Sequence, residues 1–501
     1  MFQKILIANR GEIALRVLRT CREMGIKTVA VYSEPDRTAL HVRLADQAVC
    51  IGPAAPRESY LNIAKVIDAA RSTGAQAIHP GYGFLSEREA FSAACEEAGI
   101  VFIGPPPSAI RAMGDKISAR QKMIAAGVPV VPGIAEPLAD VAVAEREAAR
   151  IGYPVMLKAT AGGGGKGIRI VERKEDLLGA FTTASGEALS SFGDGRLYLE
   201  KYLVAPRHIE VQVLADAHGN CVHFGERECS IQRRHQKLVE ETPSVVVDAE
   251  MRRKMGAVAV QAAQSIGYRN AGTIEMLWSQ GEFYFLEMNT RLQVEHPITE
   301  MVCGVDLVRE QLRVACGEPL GYGQEAIQRH GHAIEVRINA EDPEHGFVPS
   351  TGTIQNLRLP GGPWVRVDSA LYRGMKVGLD YDSMLAKVIV WGHDRPQAIA
   401  RMERALMELH IGGVRTGAPL ALRVLRSKEF QRGETDTRFL ERVALPPASD
   451  RFLEVAAIAT AVHKHLSGQR RSLGAQGEQS GGDAMPAWLL MGRRDGMRRW
   501  S

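Results

Sequence analysis

The length, composition and charge of the chain are those of an ordinary globular protein. Its 501 residues predict roughly three domains, and 45% of them are hydrophobic and 24% charged. The net charge is +4, and eight basic and five acidic residues lie after Pro446, so no basic stripe for nucleic acid is expected. Seven cysteines without a C-x-x-C pair favour reduced thiols. With no signal-like start and no run of about 18 apolar residues, we expect a cytoplasmic protein with no membrane partner.

Strands and helices alternate along the N-terminal part of the chain. Residues 4–8 and 28–32 have the composition of buried strands, and an apolar helical pattern follows from Glu12. Further strand patterns lie at 75–79 and 101–104. This alternation predicts a parallel sheet with crossover helices.

One face of the first predicted helix is charged. Arg16, Arg19 and Glu23 are neighbours on it at spacings of three and four residues, which allow ion pairs. The spacing by itself favours an exposed ion-pair face over a subunit interface.

The middle of the chain changes character twice. The segment 127–133 contains two prolines and two glycines and is expected to begin a new unit. From Pro154 to about Leu203 we expect short strands around a glycine loop, and from Val204 long antiparallel hairpins.

The segment after Pro446 differs in composition from the rest. We expect a short helix at 452–466, and the Gly-, Ser- and Gln-rich stretch 467–483 is typical of a flexible linker. The final run, with Trp488, Leu489 and several arginines, is either a solvated tail or a contact with a partner.

A glycine-rich loop, KATAGGGGKG at 158–167, lies between strand patterns at 155–159 and 168–171. Its letters fit G-x-G-x-x-G, but a dinucleotide fold needs a helix after the glycines. The Walker pattern fails because glycine, not Ser or Thr, follows the lysine. A hairpin lid remains, whose N–H groups can approach phosphate oxygens, with a merely flexible loop as the alternative. Lys158 and the upstream Lys116 are either phosphate ligands or ordinary surface lysines.

The strand patterns TIEMLW and FYFLEMN predict an antiparallel hairpin with facing carboxylates. A three-residue loop that pairs Ser279 with Phe283 would place Glu275 directly opposite Glu287. Like charges in that position destabilise a sheet unless a cation lies between them. Asn289 shares the face of Glu287, so the three oxygen ligands suit magnesium. The alternative is a solvated carboxylate pair.

The run NTRLQVEHP after this hairpin combines an anion anchor with a proton acceptor. If it is extended, Arg291, Gln293 and Glu295 share one face. Arginine binds a planar anion, glutamine adds a donor and glutamate accepts a proton, which is the set that bicarbonate needs. Lys237 is a candidate for further positive charge. The alternative is an internal salt bridge between Arg291 and Glu295.

The strand pattern AIEVRIN at 333–339 alternates cleanly. Ile334, Val336 and Ile338 are therefore expected in the core. Arg337 would then face a cleft from a rigid strand, or be an ordinary surface arginine.

Several runs together resemble the biotin carboxylase family over roughly residues 1–446. They are ILIANRGEIALR from Ile5, HPGYGFLSE from His79, MGDK from Met113, KATAGGGGKG from Lys158, EKYL from Glu200, FGERECSIQRRHQKLVEE from Phe224 and FLEMNTRLQVEHPITE from Phe285. The resemblance implies an α/β and α+β architecture. Its parts would be an N-terminal doubly wound α/β (pre-ATP-grasp) domain at 1–114, an ATP-grasp domain at 115–330 with a mobile glycine-loop lid at about 131–203, a C-terminal mixed α+β domain at 331–446, and an extension at 447–501.

The same resemblance implies a role for each matched residue. The phosphates of ATP would be held by Lys116, Lys158, Gly164 and Gly165. A hinge around the adenine would be formed by Glu200, Lys201, Tyr202 and Leu203. Further nucleotide-binding residues would be His208, Gln232 and His235. Magnesium or manganese would be coordinated by Glu275, Glu287 and Asn289. Bicarbonate would be held by Lys237, Arg291, Gln293 and Val294, with Glu295 as the base, and biotin would face Tyr82 and Arg337.

The implied reaction has two stages. Glu295 takes the bicarbonate proton, and bicarbonate attacks the γ-phosphate of ATP to give carboxyphosphate. Carboxyphosphate then releases carbon dioxide, phosphate deprotonates biotin, and Arg337 stabilises the enolate.

The resemblance also implies partners. The string nearest to a biotin-attachment turn, GMKV around Lys376, lacks the second methionine, so Lys376 is read as ordinary. Biotin should therefore arrive on a separate biotin carboxyl carrier protein. A carboxyltransferase subunit would then pass the carboxyl group to acetyl-CoA, propionyl-CoA or pyruvate. A homodimer with Arg16, Arg19 and Glu23 near its interface is also implied.

Two other functions remain as alternatives. Another ATP-grasp ligase would share the glycine loop and the metal hairpin, but should lack the HPGYGF and RLQVEHP runs. A non-catalytic nucleotide-binding regulatory subunit would be expected to lack Glu275, Glu287, Arg291 or Glu295, and all four are present.

Overall fold

The computed structural model describes residues 1–134, 136–160, 167–234, 236–442 and 457–465. The chain divides into two compact units, Met1–Pro446 and Pro447–Ser501. In the second unit the described residues 457–465 are helical, within the helix predicted there. None of the described helices combines the length and apolar character that crossing a bilayer requires.

The N-terminal region is a five-stranded parallel sheet with the strand order β3-β2-β1-β4-β5. Ile5 and Ile7 pack into one hydrophobic cluster and Leu6 into another, so both faces of the central strand are buried. The predicted doubly wound sheet is confirmed. Its elements are β1 (Lys4–Ile7), α1 (Gly11–Glu23), β2 (Lys27–Ser33), α2 (Leu40–Leu44), β3 (Gln47–Gly52), α3 (Ile63–Thr73), β4 (Ala77–His79), α4 (Glu89–Glu97), β5 (Val101–Phe102) and α5 (Pro107–Gly114).

The strands on either side of the glycine loop belong to a small antiparallel sheet with the order β7-β6-β8. Its region contains α6 (Lys116–Ala125), α7 (Val141–Ile151), β6 (Val155–Ala159), β7 (Ile168–Val171), α8 (Leu177–Phe192) and β8 (Leu197–Lys201). A strand, not a helix, follows the glycines, so the rejection of a dinucleotide fold is confirmed. The helix α8 was not predicted. It buries Leu177, Ala184 and Ala188 at helical spacing, and Gly193 ends it with a φ of 75°.

An eight-stranded antiparallel sheet has the order β13-β12-β9-β10-β11-β14-β21-β19, and its last three strands are β14 (His332–Asn339), β21 (Met384–Gly392) and β19 (Val365–Ser369). Its first five strands lie in the region of β9 (Arg207–Ala215), β10 (Cys221–Arg233), β11 (Gln236–Thr242), α9 (Ala249–Ser265), β12 (Asn270–Ser279), β13 (Glu282–Asn289), α10 (His296–Cys303) and α11 (Leu307–Ala315). The sheet continues into the C-terminal region, because β11 pairs with β14 (His332–Asn339).

The C-terminal region is mixed α and β. Beyond β14 it contains β15 (Glu341–Asp342), β16 (Val348–Pro349), β17 (Gly352–Thr353), β18 (Asn356–Arg358), β19 (Val365–Ser369), β20 (Lys376–Val377), β21 (Met384–Gly392), α12 (Arg395–Glu408), β22 (His410–Gly412), α13 (Ala418–Arg426), α14 (Lys428–Gln431) and α15 (Phe439–Arg442). Ile334, Val336 and Ile338 are fully buried, as their alternation predicts. The four domain boundaries drawn from the sequence stay predictions.

The charged face of α1 differs from its prediction. Arg16 is buried, and its Nη2 atom lies 2.7 Å from both Glu300 Oε1 and Asp306 Oδ1. Arg19 and Glu23 are exposed. The prediction of an exposed ion-pair face is therefore wrong for Arg16, because its partners come from segments almost 300 positions away that local spacing does not reveal.

Candidate active site

A cavity of about 430 Å³ lies at the carboxyl ends of β1 and β4. The strand order of the parallel sheet reverses between these two strands, which is where ligands bind in open α/β sheets. Asn9 follows β1 and donates from Nδ2 to the carbonyls of Pro80 and Tyr82, at 2.8 Å each. A Cβ atom at Gly81, which has a φ of 63°, would lie 2.9 Å from that nitrogen. The loop HPGYGF is thereby held so that Tyr82 lines the cavity.

Lys237 gathers three carboxylates at the edge of this cavity. Its Nζ donates to Glu210 Oε2 at 2.6 Å, Glu275 Oε1 at 2.9 Å and Glu295 Oε1 at 2.6 Å. Burial by itself would lower the pKa of Lys237, but the three carboxylates raise that pKa well above its usual value. Lys237 is therefore a permanent positive charge, and it joins the acidic hairpin to the predicted base.

Glu295 is fully buried between two cations. Its second oxygen, Oε2, accepts from Arg337 Nη2 at 2.8 Å, and Arg337 Nε donates to Glu240 Oε1 at 2.6 Å. Burial would raise the pKa of Glu295, but Lys237, Arg337 and Arg227 hold that pKa well below its usual value. Arg337 is thus part of the site, and its reading as an ordinary surface arginine is wrong.

Arg291 faces the same cavity but does not pair with Glu295. It donates from Nε to Glu87 Oε2 and from Nη2 to Asn289 Oδ1, at 2.9 Å each. Among the described ion pairs Glu295 has Lys237 and Arg337 as partners, so the alternative of an internal salt bridge is wrong. Glu87 was missed, although it closes the HPGYGFLSE motif.

The run NTRLQVEHP is not extended, which corrects a second prediction. The chain bends after β13, and Glu295 immediately precedes α10 with a φ of −82° and a ψ of 12°. Arg291, Gln293 and Glu295 therefore do not share a strand face. They still meet through their partners, because Gln293 Nε2 donates to Glu275 Oε1 at 3.1 Å, the same oxygen that accepts from Lys237.

The hairpin register is right at the carboxylates and wrong at the turn. Glu275 is the cross-strand partner of Glu287, as predicted, but Ser279 pairs with Glu282 rather than with Phe283. The loop has only two residues, Gln280 and Gly281, with φ values of 52° and 85°, which suit a tight two-residue turn. A β-bulge at residue 286 adds the one residue that restores the predicted pairing.

The acidic pair is unequally exposed. Glu275 is 5% exposed, whereas Glu287 is exposed and lines a second cavity. The alternative of a solvated carboxylate pair is therefore wrong, because Glu275 is buried. Burial would raise the pKa of Glu275, but Lys237 and His208, whose Nε2 lies 3.1 Å from Oε2, lower that pKa. The carboxylate is therefore ionised at neutral pH.

The donors at the hairpin fit a hard divalent cation. Glu275 and Glu287 offer carboxylate oxygens from paired positions, and Asn289, on the same strand as Glu287, adds an amide oxygen at the sheet edge. Oxygen ligands of this kind suit Mg²⁺ or Mn²⁺. His208, Glu210 and Glu275 also bring ligand atoms within 4.8 Å of one another.

The second cavity, of about 90 Å³, lies between the small sheet and the hairpin. Glu200 lies on it, accepting from Arg120 Nη1 at 2.9 Å and from Lys158 Nζ. Lys158 and Glu287 therefore line the same cavity. Arg120 and Tyr198 were missed; Arg120 lies one helical turn after Lys116, a spacing that indicates a shared face.

The remaining hinge residues lie at the end of β8. Lys201 Nζ donates to the carbonyls of Gly152 at 2.9 Å and Tyr153 at 3.0 Å. Tyr202 and Leu203 directly follow the strand. Lys201 therefore ties the strand end to the loop before β6.

Several predicted nucleotide-binding residues have a limited description or none. Gln232 lies on β10 opposite Lys237. Gly164, Gly165 and His235 lie outside the described residues, and Lys116 is described only as the first residue of α6.

Three families match the chain in sequence. They are described as biotin carboxylase, N-terminal domain (residues 1–110), carbamoyl-phosphate synthase L chain, ATP binding domain (115–322), and biotin carboxylase C-terminal domain (335–442). The biotin carboxylase of Nostoc sp. is 55% identical over 444 residues, which are 88% of this chain and 99% of that protein. The biotin carboxylase of Haemophilus influenzae is 53% identical over 443 residues, which are 88% of this chain and 99% of that protein.

A solved structure is similar over the same extent. It is the biotin carboxylase domain dimer of the Hydrogenobacter thermophilus 2-oxoglutarate carboxylase, in complex with MgADP, ADP and bicarbonate. It is 52% identical, with a TM-score of 0.81, and the similarity covers 88% of this chain and 97% of that one. By the matched domains and these relatives, the chain belongs to the biotin carboxylase family.

Proposed function

We propose that this chain uses ATP and bicarbonate to carboxylate biotin presented on a separate carrier protein. One observation carries the proposal: the buried Glu295 is shared by Lys237 and Arg337 at a cavity that Tyr82 and Arg291 also line. A proton acceptor, two cations and a bidentate anion anchor are thereby gathered on one small volume, as the activation of bicarbonate requires.

The charges around Glu295 explain how it would act as a base. Its pKa is low while Lys237 and Arg337 hold both of its oxygens. A bicarbonate ion bound by Arg291, Gln293 and Val294 competes for these cations. When Lys237 and Arg337 turn from Glu295 to the bound bicarbonate, the pKa of Glu295 rises, so Glu295 becomes a base only in the presence of the substrate. The proton then moves to Glu295 as the anion attacks the γ-phosphate.

The nucleotide lies on the other side of the acidic hairpin in this proposal. Lys158, Lys116, Gly164 and Gly165 hold the phosphates, and Glu200 lines the cavity with Lys158. Magnesium or manganese at Glu275, Glu287 and Asn289 supplies positive charge to the transferring phosphoryl group. The product is carboxyphosphate, which breaks down to carbon dioxide and phosphate.

The second half of the reaction uses the wide cavity. Phosphate takes the proton of the biotin ureido nitrogen, and Arg337 stabilises the enolate that forms. The nitrogen then attacks carbon dioxide to give carboxybiotin. Arg337 suits this role because its Nε stays bound to Glu240 while its Nη2 exchanges Glu295 for the developing oxyanion. Tyr82, on the same cavity, faces the biotin ring.

Partners and location follow from the same proposal. The chain would act in the cytoplasm with a biotin carboxyl carrier protein and a carboxyltransferase subunit, on acetyl-CoA, propionyl-CoA or pyruvate. It would form a homodimer through the region of Arg19 and Glu23, which are exposed on α1. Trp488 and Leu489, outside the described residues, motivate a docking role for the tail. Deleting residues 467–501 should weaken co-purification of the other subunits, and unchanged co-purification would reject that role.

The function is tested by measuring ADP release from the full chain with free biotin, with and without bicarbonate. Release that depends on bicarbonate and rises with biotin is the expected result. ADP release that needs a different acid and amine would indicate another ATP-grasp ligase. Nucleotide binding without any ADP release would indicate a regulatory role. Identifying the co-purifying proteins then distinguishes the final acceptors.

A further inference from the structure

Lys387 is a fully buried lysine on β21, with a relative exposure of 0%. Burying an ammonium group is unfavourable unless partners compensate for the lost water. The partners of Lys387 therefore indicate what the charge is for.

Those partners are the walls of the wide cavity. Lys387 Nζ donates to the carbonyl of Val294 at 2.8 Å and lies 3.6 Å from Glu12 Oε2 and 5.7 Å from the centroid of the Tyr82 ring. Val294, Glu12 and Tyr82 all line the cavity. They come from three segments of the chain: the loop before α10, helix α1 and the loop after β4.

The contact with Val294 has a specific geometric effect. The Val294 carbonyl belongs to the peptide group that joins Val294 to Glu295, so its orientation sets the backbone of both residues. These residues lie in a turn before α10, without a strand ladder to hold them. The hydrogen bond from Lys387 to the Val294 carbonyl therefore restrains a peptide group that strand pairing does not hold.

We propose that Lys387 is a positioning residue, which holds the Val294–Glu295 peptide and the cavity wall in the orientation that binds bicarbonate. Lys387 lies opposite Arg337 on the neighbouring strand, so one pair of cross-strand residues supports both halves of the site. The inference rests on the proposed function and adds a residue to it.

The test compares full-length K387M, which removes the charge and keeps much of the volume, with the wild type and K387R. The Michaelis constants for bicarbonate and ATP are measured by ADP release. A misplacement of about 1 Å in a substrate-positioning group can lower the rate of a reaction about 100-fold. We therefore expect the bicarbonate KM of K387M to rise about 10- to 100-fold. The ATP KM should stay within about twofold, because the Lys158 cavity is formed by other segments. K387R, which keeps a charged donor, should recover part of the loss.

The matched control is K376M, an exposed lysine on β20, which should leave both constants unchanged. If K387M does not fold, D368N replaces it. Asp368 Oδ2 lies 3.8 Å from Lys387 Nζ and accepts from Arg366 Nη2 at 2.8 Å, and Asp368 does not line the cavity. R366M, which removes the other partner of Asp368 and keeps Lys387, is therefore measured beside D368N. A selective rise in bicarbonate KM in D368N that R366M does not share acts through Lys387.

Three results would overturn parts of this reasoning. A folded K387M or D368N with an unchanged ratio of the two KM values refutes the positioning role and leaves the proposed function intact. A parallel rise in both KM values refutes it as well, since general loosening predicts that result. A wild-type chain without bicarbonate-dependent ADP release refutes the proposed function, and the positioning role with it.

Discussion

Replacing Glu295 with glutamine tests the chemical centre of the site. The change keeps the side-chain size and an oxygen acceptor, but removes the negative charge and the ability to take a proton. Lys237 retains Glu210 and Glu275 as partners, and Arg337 retains Glu240, so neither cation is left unpaired. Breaking a buried ion pair costs about 3–5 kcal/mol, and we expect E295Q near the lower end because these partners remain.

The expected loss of activity is much larger than the effect on ATP binding. General-base catalysis contributes about 100- to 10,000-fold, so bicarbonate-dependent ADP release by E295Q should fall by that factor. The ATP dissociation constant should change by less than about threefold, because Glu295 does not line the Lys158 cavity. Calorimetric ATP titration and coupled ADP release measure the two quantities.

The control is E250Q, the same chemical change at an exposed carboxylate on α9 that pairs only with Lys254 among the described ion pairs. It should have wild-type turnover. If E295Q also kept wild-type turnover, Glu295 would not be the base. If E295Q lost ATP binding together with turnover, the separation of the two cavities would be the part of the reasoning that is wrong.

Two further predictions concern the metal and pH. E287Q should raise the Mg²⁺ concentration for half-maximal activity about tenfold, because it removes one carboxylate ligand. It should not shift the urea midpoint, because Glu287 is exposed. An unchanged Mg²⁺ requirement would show that Glu287 is not a metal ligand. Burial lowers the pKa of His79 to about 4, below its unfolded value of about 6.5, so stability is complete above that value and declines as the pH falls toward 4. At pH 5 the loss of stability from His79 should be roughly 2 kcal/mol. It is measured as the difference in urea midpoint between wild type and H79Q, which should shrink as the pH falls. A difference independent of pH would contradict the buried neutral imidazole.

Local patterns were sufficient for several of the strands. Alternation and apolar runs predicted β1, β2, β6, β7 and the core face of β14, because side-chain period is a property of a few consecutive residues. The motif strings were sufficient to identify the family and its three matched domains, because each string lies within one short segment.

In the hairpin, the predicted pairing is correct because an error in the turn length is offset by a bulge that was not predicted. Counting from an assumed three-residue loop placed Glu275 opposite Glu287, and the two are indeed partners. The turn is one residue shorter, and the bulge at residue 286 adds that residue back. A bulge depends on packing against the neighbouring strand and loop, which the spacing of polar residues along one strand does not record.

The partners of charged side chains were decided only by the tertiary structure. Sequence alone determined which residue types are present for binding an anion, a cation and a nucleotide. It did not determine that Arg291 meets Glu87, that Arg16 is buried against Glu300, or that Lys387 holds Val294. These pairs are separated by between 93 and 284 positions in the chain, and a charge selects its partner by distance and burial in space, not by order along the backbone.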